Sequence, residues 1–362
     1  MPVLGVPMWR RVLLTARSRR WRPHRSVTTA IARARALAFG VLTIVGGVVV
    51  RWTPARSHPT AADYPKVFVV GCPRSGTTWV ADILGRHPAV IRGQESQLYS
   101  TIRHSLGTYG AYNPIGWARL FYGVERGVRI GANAGMHFYV DAHTLLRVGW
   151  AVLGSAPRRD QVTPKLVRAV LDSYFVQQGG TAGRVLVEKT PTHVFYLDDI
   201  LTGFPDAHVV EVVRDGRDVC VSMALRSERV SAFPTTNEGR IRLWVHAVEA
   251  GRVATNDARW HGRIVKVRYE DLKASPVEQI ARMFAAVDLP ASDDLVREIA
   301  EASDIARFAT GPGEFRHRGE VGTWVDHLSA EDEAAFRSLA GATFTAAGYS
   351  FDSPGDSASH SP

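Results

Sequence analysis

Thirteen residues constrain this chain more than any others: Val67-Phe-Val-Val-Gly-Cys-Pro-Arg-Ser-Gly-Thr-Thr-Trp79. The apolar run reads as a buried strand, and it passes through a glycine-anchored turn straight into a helix. Backbone N–H groups converge in such a turn, and the helix N-terminus adds partial positive charge beside them. That is a cradle for a phosphate. A nucleoside-triphosphate loop, G-x-x-x-x-G-K-[ST], also needs a Lys for the β- and γ-phosphates and a hydroxyl for Mg²⁺. Here Gly71 and Gly76 keep the spacing, but Thr77 stands at the Lys position and the cation, Arg74, lies inside the loop. This suits a smaller anion held without a metal.

Beyond the loop, short apolar runs alternate with helical stretches, which argues for βαβ units around a parallel sheet. The predicted strands are Val67–Val70, Val90–Arg92, Val185–Glu188, His208–Val213 and Ile264–Arg268. The expected fold is α/β: a P-loop-like parallel sheet flanked by helices, in one large domain over residues 61–352. Residues 99–160 mix Tyr, Trp, Phe and His with scattered glycines. They read either as a partly helical insertion over a pocket or as an aromatic-rich core segment. Residues 353–362 are polar, and disorder is expected there.

The formal charge of +9 misleads about partners. Eleven Arg and no acidic residue precede Asp63, so residues 1–60 form a basic arm and the body is close to neutral. A nucleic-acid-binding domain is basic on its folded face, so no nucleic-acid partner is expected. Cys72 and Cys220 are the two cysteines, too few for a disulfide framework or a cysteine metal site.

Pro73-Arg-Ser-Gly-Thr-Thr-Trp79 resembles the 5′-phosphosulfate loop of the sulfotransferases that use 3′-phosphoadenosine-5′-phosphosulfate (PAPS). A second segment, His208-Val-Val-Glu-Val-Val-Arg-Asp-Gly-Arg-Asp-Val-Cys-Val-Ser-Met223, ends a strand at Arg214 and places Ser222 eight residues later. An Arg at the C-terminus of a parallel strand faces the ligand crevice, and its fork suits a terminal phosphate. This Arg-x₇-Ser pattern resembles the family's 3′-phosphate site, although Asp218 is also placed to pair with Arg214. A third segment, His317-Arg318-Gly319-Glu-Val-Gly322-Thr-Trp324, resembles the family's Arg-Lys-Gly-x-x-Gly-x-Trp loop over the 3′-phosphate. Arg318 and Gly319 carry over, while His317 takes the first cation position with Arg316 beside it. Val267-Arg-Tyr-Glu-Asp-Leu272 resembles a strand end near the adenine, where Tyr269 meets the base or only packs. Trp79 is the better candidate for stacking on the adenine. The matches run in the family's order from Val67 to Trp324, closer to its bacterial and glycan-modifying branch than to the cytosolic phenol and steroid branch.

The resemblance implies sulfuryl transfer from PAPS to an acceptor hydroxyl, with no metal. The acceptor would be a glycan, a glycolipid or a small molecule. Arg74 and the loop residues Ser75, Gly76, Thr77 and Thr78 would hold the 5′-phosphate. Lys189, at another strand end, would follow the bridging oxygen, unless it only pairs with Glu188 at the surface. An acceptor alcohol also needs a general base. The phenol and steroid branch uses the His of a Lys-Thr-His segment, and here Pro191 occupies that position. Other branches use a Glu just after the second strand; Glu95 fits, with His193 and His104 in reserve. Two competing readings are a P-loop kinase or NTPase and a non-catalytic, membrane-associated nucleotide-binding scaffold. The missing Lys counts against the first, and the intact Arg74, Arg214, Ser222 and Glu95 count against the second.

Within the arm, residues 36–50 read ALAFGVLTIVGGVVV. As a helix this run reaches about 22 Å, against roughly 30 Å of membrane hydrocarbon. It reads as a short span or signal anchor, an interfacial anchor, or a helix covering the core. Arg before a spanning segment would put the body outside, away from a donor made in the cytosol. The expectation is therefore membrane association through residues 1–52 with the body in a bacterial cytoplasm, or in the Golgi lumen if the source is eukaryotic.

Overall fold

Strand β1 (Lys66–Gly71) is buried at all six positions, as a strand covered by helices on both sheet faces must be. The structure, a computed structural model, describes residues 34, 37–38, 40–42, 64–107, 113–126, 135–155, 161–227, 233–304 and 319–351. After β1 come α1 (Thr77–Gly85), β2 (Val90–Arg92), α2 (Leu98–Ile102), α3 (Pro114–Arg126), α4 (Ala142–Gly154) and α5 (Val162–Gln177). Then follow β3 (Val185–Lys189), α6 (Leu197–Gly203), β4 (Ala207–Val213), α7 (Gly216–Ser227) and α8 (Asn237–Thr255). The order closes with β5 (Ile264–Arg268), α9 (Tyr269–Ala274), α10 (Pro276–Ala286), α11 (Asp293–Ala302) and α12 (Ala330–Ala346).

The strands form one parallel sheet in the order β2-β3-β1-β4-β5, a single α/β domain as expected. Val90 of β2 lies opposite Val185 of β3, and Val209 of β4 opposite Ile264 of β5. All five strands read from the sequence are present, within one residue at either end.

The described residues divide into two compact units, one holding Val69–Pro88 and those from His208 onward, the other those up to Phe68 and Ala89–Ala207. In the first, Trp244 of α8 packs on Phe336 and Phe344 of α12, with ring centres 5.6 and 6.1 Å away. Gly216 permits this: a Cβ there would come within 2.6 Å of the Trp244 ring. Ser329 and Asp332 close a capping box at the start of α12. In the second unit, Asp141 caps α4 by accepting the Thr144 N–H at 2.6 Å. Tyr99, Trp117 and Tyr139 of this unit are fully buried. The described part of residues 99–160 is thus helical, and these aromatics build core.

The expected localisation is corrected. No helix among the described residues is long and apolar enough to cross a membrane. Of the uncharged run at residues 36–50, only 37–38 and 40–42 are among the described residues. Most of residues 1–60, His317, Arg318 and the tail 353–362 lie outside the described residues.

Candidate active site

In the first unit the chain leaves β1 at Gly71, φ +149°, where a Cβ would come within 2.3 Å of the Val212 carbonyl of β4. The turn closes with Ser75 N–H donating to the Cys72 carbonyl at 3.1 Å. Arg74 sits inside it in the left-handed region, φ +77°. Gly76 is left-handed too, φ +96°, and a Cβ there would lie 2.5 Å from the Tyr269 ring. No side chain caps α1, and its first turn carries no acidic residue. Its leading N–H groups and dipole are therefore available to an anion. Thr77 is buried and Thr78 exposed. Ser75 Oγ is buried with no hydrogen-bond partner among the described residues. Arg74 Nε donates to Ser222 Oγ at 3.1 Å, joining the first two motifs across 148 residues.

Arg214 ends β4 and is buried. Its Nη2 donates to the Glu320 carbonyl at 2.7 Å and to Asp218 Oδ2 at 3.3 Å, while its Nε has no hydrogen-bond partner among the described residues. The guanidinium lies 4.5 Å from the Tyr269 ring centre. Asp218 also accepts from Gly322 N–H at 3.0 Å, Thr323 Oγ1 at 2.9 Å and Trp324 N–H at 3.0 Å. One carboxylate thus ties the third motif to the second. Gly319, φ +63°, offers its carbonyl to Tyr269 Oη and Lys273 Nζ, each at 2.8 Å.

Tyr269 is buried, and burial pushes its hydroxyl up to about 12 despite the Arg214 charge. It packs edge-on to Trp79, ring centres 5.4 Å apart. The Trp79 indole donates to the Ser303 carbonyl at 2.7 Å, and the ring borders a cavity of about 370 Å³ with Leu272, Lys273 and Glu320. Desolvation and then Arg214 pull the Lys273 ammonium below its ordinary value.

In the second unit Lys189, at the end of β3, donates to Glu95 Oε2 at 2.8 Å. Gln97 Nε2 holds the other oxygen, Oε1, at 2.6 Å. Glu188 turns the opposite way: its Oε2 meets His193 Nδ1 at 2.9 Å, and its Oε1 accepts from Ser96 Oγ and Thr190 Oγ1, each at 2.6 Å. Burial would raise this carboxyl, but His193 and the hydrogen bonds hold it below the ordinary value. Lys189 therefore pairs with Glu95 and not with Glu188. His193, the first reserve base, is fully buried against Glu188. His104 lies part-buried in the turn Arg103–Gly107, 3.5 Å from Arg119 Nη2.

A profile describing the sulfotransferase family matches residues 65–293. The chain belongs to the sulfotransferase family. It is a PAPS-dependent sulfotransferase. Among curated relatives it is 25% identical over 232 residues to protein-tyrosine sulfotransferase 1 of Danio rerio, covering 64% of this chain and 55% of that one. It is 24% identical over 245 residues to the protein-tyrosine sulfotransferase of Drosophila melanogaster, covering 66% and 41%. The sulfotransferase thus spans only about half the length of these two. Among solved structures, sulfotransferase STF9 from Mycobacterium avium is 15% identical with a TM-score of 0.46, covering 95% of this chain and 92% of that one. The two curated relatives are animal proteins, and neither supports the expected bacterial-cytoplasm localisation.

The residues present fit a doubly phosphorylated donor: buried Ser75 Oγ and Arg214 Nε have no hydrogen-bond partner among the described residues. Arg318 lies outside the described residues, so its part in that fit is not drawn. The pairing of Asp218 with Arg214 was read from the sequence, and two other contacts were missed. Gln97 stands two residues after Glu95, a spacing that puts the pair on one face of an extended segment. Lys273, four residues after Tyr269, carried no motif of its own.

Proposed function

We propose that this sulfotransferase moves the sulfuryl group of PAPS to a tyrosine hydroxyl of a polypeptide. The observation that carries the donor half is the 3.1 Å hydrogen bond from Arg74 to Ser222, which joins a phosphate loop to the helix that follows the cationic end of β4. Arg74, Ser75 and the amides of Gly76, Thr77 and Thr78 hold the 5′-phosphate. Arg214, Ser222, Gly319 and Arg318 hold the 3′-phosphate, with Trp79 and Tyr269 beside the adenine. The donor supplies an S–O bond that breaks as a new one forms to the acceptor oxygen. Glu95 takes the acceptor proton, and Lys189 steadies charge on the bridging oxygen that leaves. The domain proposed for this work is residues 61–352.

The relatives' printed activity supports the tyrosine acceptor in place of a carbohydrate. The chemistry agrees, because a phenol with pKa about 10 gives its proton to a carboxylate more readily than a sugar hydroxyl does. Calorimetry of the full chain with 3′,5′-adenosine bisphosphate, without Mg²⁺ and with ATP as control, tests the donor half. Micromolar binding lost in Arg214→Ala is expected; metal-dependent ATP binding alone would overturn it. Sulfate transfer to tyrosine peptides, run beside sugar acceptors, tests the acceptor. Transfer to sugars only would restore the carbohydrate class.

A further inference from the structure

Gln97 adopts a left-handed backbone, φ +55° and ψ +26°, which a non-glycine side chain seldom takes. Such a conformation persists only where the surroundings fix it from several sides. Here they do. Its N–H donates to Thr190 Oγ1 at 3.1 Å, and its carbonyl accepts from Thr101 N–H at 2.9 Å and Ser100 Oγ at 3.0 Å. Its side-chain carbonyl accepts from Ser100 Oγ at 3.1 Å and Thr192 Oγ1 at 3.2 Å. The amide nitrogen is thereby turned to Glu95 Oε1, 2.6 Å away. Reversing the amide would set its oxygen against the carboxylate.

Beneath this contact, the same two strand ends are laced by buried groups. Ser96 N–H donates to Thr190 Oγ1 at 3.0 Å, and Ser96 Oγ to Glu188 at 2.6 Å. Side chains alternate along an extended segment, so Ser96 and Glu188 anchor one side while Glu95 and Lys189 meet on the other. Glu95 is consequently held at both oxygens, by an amide at one and an ammonium at the other.

We infer that Gln97 is a positioning residue for acceptor deprotonation: it fixes the rotation of the Glu95 carboxylate. The inference rests on Glu95 being the base proposed above. Losing the Gln97 donor frees one carboxylate oxygen, and the group can turn about its last bond. The acceptor proton then goes to a carboxylate oxygen whose direction is no longer set.

The test measures kcat and KM of the full chain with a tyrosine peptide, beside bisphosphate affinity. Gln97→Met keeps the length and loses the donor. Its kcat should fall about tenfold while the peptide KM stays within about twofold. Ser100→Ala, a milder change that loosens the amide, should lower kcat by less. Bisphosphate affinity should stay within about twofold. Unchanged kcat in both variants would overturn the positioning role while leaving Glu95 as base. Equal losses in kcat and in bisphosphate affinity would make Gln97 a structural residue and overturn the role as well. A Glu95→Gln enzyme with full activity would remove Glu95 as base and the inference with it.

Discussion

Asp218 Oδ1 accepts the backbone N–H of Trp324 at 3.0 Å, across 106 residues of chain. The same carboxylate takes Gly322 N–H, Thr323 Oγ1 and the Arg214 guanidinium, and its side chain is fully buried. Arg217, one residue earlier, covers the Trp324 ring at 3.8 Å while paired to Asp215. The turn that carries Gly319 is thus tied to the helix that carries Ser222, and both belong to the proposed 3′-phosphate site.

Replacing Asp218 by Ala should therefore damage stability and donor binding together. The change leaves the buried Arg214 charge and two N–H groups without this acceptor, a loss of about 3–5 kcal/mol. Urea denaturation should show a midpoint shift of that size, and 3′,5′-adenosine bisphosphate should bind at least tenfold more weakly. A loss under about 1 kcal/mol would show that the carboxylate is dispensable.

Gly76→Ala should be nearly as harmful for a different reason. The backbone there is left-handed, and the new Cβ would sit 2.5 Å from the Tyr269 ring, which is itself pinned to Gly319. Either the loop or the ring must shift, at a cost of about 1–3 kcal/mol. Thermal melting with and without the bisphosphate separates the two effects. An unchanged melting temperature together with unchanged binding would mean that the loop is slack.

Much of this was legible in the sequence because it is local. The apolar run into Gly71, the five strands, Arg214 at a strand end and Glu95 after the second strand are patterns of neighbouring residues. The partners were harder to read. Nothing in the spacing says that Glu188 turns from its neighbour Lys189 to bury His193 beneath it, since that choice depends on which sheet face is covered. Residues 99–160 allowed two readings for the same reason: aromatic content cannot distinguish a pocket wall from a core, and only burial of Tyr99, Trp117 and Tyr139 decides it. A left-handed Gln97 was invisible because long-range hydroxyls from Thr190 and Thr192 hold it.

Lys189→Met should separate chemistry from donor binding. It removes the ammonium 2.8 Å from Glu95 Oε2 while preserving the length of a side chain that is only 9% exposed. Loss of charge stabilisation at the reacting centre should lower kcat by about 10²-fold or more. Bisphosphate affinity should remain within about twofold, because on the proposed assignment the phosphates are held by the Arg74 and Arg214 sets. Equal losses in kcat and in bisphosphate affinity would instead make Lys189 a donor-binding residue.

Glu211 on β4 should give the fold a pH dependence separate from catalysis. Its side chain is buried against α8, where a Cβ on Gly251 would lie 1.8 Å from Oε1. Oε2 has no hydrogen-bond partner among the described residues. Burial pushes the carboxyl up to about 7, although the Lys266 charge pulls the other way. The unfolded chain restores the ordinary value of 4.5, so between pH 4.5 and about 7 the folded protein binds more protons at this site. Glu211's contribution to stability is accordingly complete below pH 4.5 and falls as pH rises through that window, by about 3 kcal/mol in all. Glu211→Gln cannot ionise and should lose this slope, so its stability relative to the parent should climb from pH 4.5 to 7 and then level off. Urea midpoints of both proteins, measured from pH 4 to 8, provide the check. Parallel curves would mean that Glu211 is ionised in the fold at little cost.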